Sequence, residues 1–176
     1  NRSAIMHNKF MVVDSKAVWT GSYNFTHNGT YRNNNNAIYI QSPELAANFA
    51  AEFAEQFEDK AFGPRSPENT VNPQVHVDGT LIETCFAPED ECGLQIAELL
   101  FTAEKSIHFM AFSFTHDDMG EVIRERADEG VLVRGVFETR SSETDYSEFY
   151  DMLKDHLDVY QDGNPYTLHH KVFIID

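Results

Sequence analysis

The chain has 176 residues, with 13 Lys and Arg against 29 Asp and Glu, for a formal net charge of −16. A surface with that balance repels polyanions, so it excludes binding to nucleic acid or anionic lipid by overall charge. Any phosphate chemistry has to come from a local cluster of cations. The 41% hydrophobic content and 14 Phe suffice for a globular core, and no apolar run approaches the roughly 18 residues that span a bilayer.

In chain order, residues 5–14 (IMHNKFMVVD) and 17–22 (AVWTGS) read as two strands joined by Ser15-Lys16. Residues 23–35 read as a polar loop, and 36–41 as a third strand. Ser42-Pro43-Glu44 is a helix start: an N-cap hydroxyl, a proline at the first helical position and an acid in the first turn. Leu45, Phe49, Phe53 and Phe57 follow at four-residue spacing, which predicts an amphipathic helix with its Phe stripe against a sheet. Residues 61–79 hold three of the six Pro and read as a linker.

Strands and helices then alternate. Strand 81–86 leads to helix 90–104, strand 106–112 to helix 117–129, and strand 131–137 to a helix near 144–155. Strands follow at 157–160 and 168–176. This predicts an α/β layered fold with a largely parallel sheet. The acidic stretches at 89–92 and 143–148 read as solvated faces. Cys85 and Cys92 read as small buried side chains in a reducing compartment. The rival reading is a local disulfide around Pro88-Glu89-Asp90, which would imply export; the compartment is otherwise open. The chain starts without Met and ends on an apolar strand, which predicts a piece of a longer polypeptide.

An internal repeat carries the chemistry. Residues 6–14 read Met-His-Asn-Lys-Phe-Met-Val-Val-Asp, and residues 168–176 read Leu-His-His-Lys-Val-Phe-Ile-Ile-Asp. The spacing His-x-Lys-x4-Asp occurs twice, and the first copy continues into Gly21-Ser22-Tyr23-Asn24. On a strand, His7 and Lys9 share one face, as do His169 and Lys171, while Asp14 and Asp176 fall on the other. The aspartates are therefore expected in buried polar contacts behind the strands, and His170 is expected to point away from His169. Two imidazoles with two ammonium groups suit a phosphodiester. One imidazole attacks phosphorus, the other protonates the departing oxygen and then activates water. The ammonium groups, with Ser22 and Asn24, hold the non-bridging oxygens. No cofactor and no metal is needed.

These motifs resemble the signature of the phospholipase D superfamily, His-x-Lys-x4-Asp-x6-Gly-Ser-x-Asn. His7, Lys9, Asp14, Gly21, Ser22 and Asn24 match it in full, and His169, Lys171 and Asp176 match its second copy. Ser106–Thr115 resembles the strand that precedes the second motif in bacterial members. The resemblance implies a phospholipase D-like α/β/α sandwich of two pseudo-two-fold-related lobes, both incomplete in this chain. The corresponding boundaries are 1–62 for the back of the first lobe, 63–78 for a linker and 79–176 for the front of the second. A full lobe would be roughly 145 residues. The resemblance also implies a metal-independent phosphodiesterase working through a phosphohistidine, with His7 as the common choice of nucleophile and His169 as the acid. Some compact relatives carry Glu before the Asn that follows the first motif. Asn35 and Asn36 stand there in this chain, which puts one supporting hydrogen bond in question.

The substrate expected is a phospholipid headgroup ester. The rivals are a superfamily endonuclease, which the net charge disfavours, and a non-catalytic binding lobe. His27, His76, His108, His116 and His156 read as ordinary histidines, and Arg32 as part of a loop. Glu138, Thr139 and Arg140 follow a strand, where α/β folds place residues that support a site. The oligomeric state is open.

Overall fold

The computed structural model describes residues 5–176, and the chain divides into two compact units. Of the described residues, unit one comprises 5–21 and 37–92, and unit two 22–36 and 93–176.

Unit one is built on an antiparallel sheet of β1 (Phe10–Val13), β2 (Ala17–Gly21) and β3 (Ala37–Gln41), in that order. The first strand is shorter than the predicted 5–14: residues 5–9, with His7 and Lys9, lie outside it. Asp14 and Ser15 both take left-handed backbone (φ 53°), and Lys16 N–H donates to the Val13 carbonyl at 2.9 Å. Both central residues of a tight hairpin turn need that conformation to match the strand twist.

Val12, Val18 and Ile40 lie in register across one sheet face, and helix α2 (Pro43–Phe57) packs on it. Its start is as predicted, with Ser42 Oγ accepting from Leu45 N–H. The Phe stripe holds only over its first half, where Leu45 and Phe49 pack in this core. Phe53 and Phe57 are 54% and 62% exposed, while Asn48, Glu52 and Glu55 are buried beside Leu45 and Ala46. Four residues turn a helix about 40° too far, so a four-residue stripe has wound about 120° off the sheet by its fourth member. The buried line 45, 48, 52, 55 instead keeps near the 3.6-residue period. Asn48 is satisfied in the core: it donates to the Asn72 carbonyl and accepts from Asn72 N–H, each at 2.7 Å.

The predicted linker holds structure. Strand β4 (Gln74–Val77) pairs with β5 (Thr80–Glu83) through an Asp78-Gly79 turn with φ of 50° and 82°. Val75, Val77 and Ile82 complete the core around Val18 and Leu45. Cys85 and Cys92 are disulfide-bonded, with Cα atoms 5.7 Å apart, which corrects the reading of two separate thiols. The acidic turn between them is not wholly solvated either. Asp90 accepts from Phe86 N–H at 2.9 Å, and Glu89 is half-buried.

Unit two is a four-stranded sheet in the order β8 (Asp158–Gln161), β7 (Leu132–Phe137), β6 (Ser106–Ala111), β9 (Lys171–Ile175). The first three are parallel, and β9 runs antiparallel to β6. Helices α3 (Cys92–Phe101), α4 (Asp117–Asp128) and α6 (Glu148–Lys154) alternate with the strands as predicted, and a short α5 (Thr139–Ser142) is added. The core is aromatic: Phe109 meets Phe114, Phe137 and Phe173 at centroid distances of 5.7, 5.2 and 5.7 Å. Burying one such side chain contributes roughly 1.5–3 kcal/mol. The stretch 143–148 is not a solvated face throughout, because Glu148 is buried and paired with Arg124 at 2.5 Å.

Residues 22–36 leave β2 and return to β3, yet they fold with unit two. They are not merely a loop, since they carry α1 (His27–Tyr31) with Thr26 Oγ1 accepting from Gly29 N–H. A Cβ on Gly29 would lie 2.2 Å from the Asn24 carbonyl oxygen, so only glycine fits there. No helix among the described residues is long and apolar enough to cross a membrane.

Candidate functional site

The asparagine segment and the second motif join through backbone first. Asn34 N–H donates to the Thr167 carbonyl and His169 N–H to the Asn34 carbonyl, both at 2.9 Å, forming a parallel bridge between Asn34 and Leu168. Asn164 supports it by donating to the Arg32 carbonyl (3.0 Å) and to Asn34 Oδ1 (2.6 Å). Arg32 also stacks over the Tyr166 ring, 4.9 Å from its centroid.

This backbone frame fixes the imidazole of His169, which is 6% exposed. Its Nδ1 lies 2.8 Å from the Ser22 carbonyl oxygen and 3.2 Å from Asn35 Oδ1. A carbonyl only accepts, so Nδ1 carries the proton of the ring. The orientation of the Asn35 amide is also settled. Its Nδ2 donates to the Gly29 and Asn33 carbonyls at 3.1 and 3.3 Å, which turns Oδ1 toward the imidazole. The supporting bond in question is therefore present, made by a neutral amide in place of a carboxylate.

Ser22 is buried, and its hydroxyl is engaged inside the segment. Oγ accepts from Asn36 N–H (3.0 Å) and lies within donating distance of Asn36 Oδ1 (3.1 Å) and Asn35 Oδ1 (3.3 Å). Asn24 is half-buried beneath α1, its carbonyl accepting from Thr26 N–H at 2.7 Å. His170, expected to point away, joins the same segment: its Nδ1 is 3.0 Å from Asn36 Oδ1. Burial first, and the Lys171 charge second, hold its pKa below the usual histidine value. The sequence signal for this role was the run of four Asn after the first motif, which supplies acceptors to two successive histidines.

Lys171 donates from Nζ to the His169 carbonyl at 3.1 Å and lies over the Phe112 ring, 4.6 Å from its centroid. Phe112 also flanks His169, with centroids 4.8 Å apart. In unit one, Lys9 Nζ donates to the His7 carbonyl at 2.6 Å. Partial burial draws the Lys9 pKa below its ordinary value. His169, Lys171, Ser22 and Asn24 thus belong to one unit, and His7, Lys9 and Asp14 to the other.

Neither aspartate is buried behind its strand. Asp14 is an exposed turn residue. Asp176 is exposed, and its carboxylate accepts from the backbone N–H groups of Glu104, Lys105 and Ser106 at 3.0, 2.8 and 2.8 Å. Those bonds hold its pKa below the ordinary value. Asp14 closes the turn after β1, while Asp176, just past β9, ties that strand to the backbone of residues 104–106.

Arg140 braces the approach to the second motif. It donates to the Tyr166 carbonyl and to Thr167 Oγ1 (2.8 Å), and is held by the buried Glu138 at 2.9 Å.

Comparison with known proteins agrees with the motifs. The family model described as the PLD-like domain of cardiolipin synthase matches residues 1–57. A phospholipase D from Rickettsia prowazekii (strain Madrid E) is 28% identical over 95 residues, covering 54% of this chain and 46% of that protein. In its motifs and in these matches the chain is similar to the phospholipase D superfamily. A mitochondrial cardiolipin hydrolase from Chlamydomonas reinhardtii is 35% identical over 51 residues, 29% of this chain and 23% of that protein. The crystal structure of a phosphatidylserine synthase from Haemophilus influenzae Rd KW20 aligns over 97% of this chain and 52% of that one, with a TM-score of 0.61 and 13% identity. The fold is therefore like that of this synthase. The chain spans about half the length of the curated phospholipases D it matches.

Proposed function

We propose that this chain is a member of the phospholipase D superfamily that hydrolyses phosphodiesters without a catalytic metal, through a phosphohistidine, and that its substrate is a phospholipid headgroup ester. The observation that carries the reading is the pair of acceptors at His169 Nδ1, the Ser22 carbonyl and Asn35 Oδ1. They keep one proton in place, so only Nε2 gains and loses a proton, which is the behaviour of an acid–base shuttle.

In this reading Nε2 of His7 attacks phosphorus and an N–P bond forms. The bond from phosphorus to the leaving oxygen breaks, and that oxygen takes the electron pair together with the Nε2 proton of His169. The neutral His169 then removes a proton from water, whose oxygen attacks phosphorus. The N–P bond breaks, and its electron pair returns to His7. Lys9 and Lys171 hold the non-bridging oxygens as their charge grows. Ser22 acts by positioning, because its hydroxyl is engaged with Asn35 and Asn36; Asn24 remains the candidate for direct phosphate contact. Asp14 and Asp176 support the strand ends. The motif repeat supports assigning 1–62 and 79–176 to two related lobes, although the compact units divide at other residues.

The net charge of −16 and the lipid-directed names of the curated relatives favour a lipid over a nucleic acid. The test is to incubate the protein in EDTA, well below its metal-free Tm, with phosphatidylcholine vesicles and with single-stranded DNA. Release of the headgroup alcohol is expected. Cleavage of DNA alone would move the assignment to an endonuclease, and turnover of neither substrate by folded protein would favour a binding lobe.

A further inference from the structure

Three carboxylates outside the motif network meet in unit one. Glu52 and Glu55 project from α2, and Glu89 comes from the turn closed by the Cys85–Cys92 disulfide. One oxygen from each lies within 4.8 Å of the other two. Glu52 and Glu55 are only 3% and 2% exposed. Both oxygens of Glu55 and one of Glu89 are shut off from solvent with no hydrogen-bond partner. Glu52 is oriented by amides: Asn8 Nδ2 donates to its Oε1 at 2.6 Å, and Gln56 donates to the same atom. Among the described residues, no Lys, Arg or His forms an ion pair with any of the three.

Such an arrangement is relieved by a bound cation or by protonation. An ionised carboxylate removed from water costs several kcal/mol unless it is neutralised, and three close together add mutual repulsion. All the inward atoms are carboxylate oxygens, hard donors that suit Ca²⁺, Mg²⁺ or Mn²⁺ over softer metals. Size bears on the choice. Two oxygens on one Ca²⁺ at about 2.4 Å stand up to about 4.8 Å apart, whereas on Mg²⁺ at about 2.1 Å the limit is about 4.2 Å. The three oxygens lie within the wider limit, all of which Ca²⁺ can span.

We propose that Glu52, Glu55 and Glu89 form a structural binding site for a divalent cation of the calcium type. The cation ties α2 to the disulfide-closed turn through Glu89, and to the start of the first motif through the Asn8–Glu52 bond. Asn8 sits between His7 and Lys9, so the site braces the motif while no step of phosphodiester cleavage passes through it. The inference does not rest on the proposed hydrolysis, and its test reads no turnover.

The experiment is equilibrium dialysis of the EDTA-stripped protein against ⁴⁵Ca²⁺, with thermal melts in Ca²⁺, Mg²⁺ or EDTA. One Ca²⁺ per chain is expected, with a dissociation constant on the order of 10⁻⁴ M and a Tm raised by several degrees at saturating Ca²⁺. Mg²⁺ should be weaker. Glu55→Gln should abolish binding while its metal-free Tm stays at or above that of the wild type, because one buried charge has gone. Glu89→Gln should weaken binding and retain part of the Tm response. The proposal is overturned if the wild type binds no Ca²⁺ at millimolar concentration, or if Glu55→Gln still binds one equivalent. It is equally overturned if acid alone raises the Tm and Ca²⁺ does nothing.

Discussion

His7 and His169 hold the same place in two copies of one motif, and each copy makes the same local bond, from the lysine ammonium back to the histidine carbonyl. Beyond that bond they differ. His169 is buried, its Nδ1 held by the Ser22 carbonyl and the Asn35 amide and its ring set against Phe112. His7 is exposed, outside β1, and followed by Asn8 bonded to a buried carboxylate. Local sequence thus fixes how lysine meets histidine, while distant residues fix which histidine nitrogen works. Like residues therefore meet unlike surroundings, which is what the proposed division into nucleophile and acid requires.

The largest effect that sharpens this contrast is on turnover. His7→Asn and His169→Asn should each lower kcat/KM by about 10³-fold or more. Their melts should separate them: His169→Asn loses a buried hydrogen-bonded ring and falls in Tm, while His7→Asn stays near wild type. Equal Tm losses would erase the distinction. Gly29→Ala comes next. Its Cβ would meet the Asn24 carbonyl at 2.2 Å, so a loss of about 2 kcal/mol or more in denaturant unfolding is expected, with weakened turnover as the asparagine frame shifts.

A smaller effect distinguishes the amide from a carboxylate. Asn35→Ala should cost about 1–2 kcal/mol and lower kcat roughly tenfold. Asn35→Asp should keep turnover but move the His169 limb of the pH–rate profile upward, because a negative partner stabilises imidazolium. An unmoved profile would sever Asn35 from the working nitrogen.

The smallest effect concerns Asp176. Backbone N–H bonds lower its folded pKa, so its stabilisation is present above the ordinary value of 3.8 and is lost as pH falls below it. Asp176→Asn should therefore lower the Tm at pH 6 by several degrees at most, and the gap from wild type should close toward pH 3. A gap constant with pH would contradict the role given to these bonds.

Much of this was readable from residues alone. The alternation after residue 90, the Ser42 cap and the paired motif all rest on local patterns, and local patterns survive folding. What escaped was non-local. The Asp78-Gly79 hairpin was masked by nearby prolines, although its dipeptide is a strong turn signal. The Phe spacing on α2 looked like a buried stripe, but its 40° drift per step carries Phe53 and Phe57 outward. Burial of Glu52 and Glu55 depends on a turn more than thirty residues away. The asparagine run looked like loop filler because its partners, His169 and His170, lie over 130 positions downstream.

The most direct measurement is acid-quenched trapping of the phosphoenzyme with a ³²P-labelled diester, comparing wild type, His7→Asn and His169→Asn. The account predicts an acid-labile label that accumulates in His169→Asn, which keeps the nucleophile but lacks the group that activates water, and that is absent from His7→Asn. Label carried by His7→Asn but missing from His169→Asn would reverse the assigned roles, and turnover with no label in any of the three would contradict the covalent mechanism.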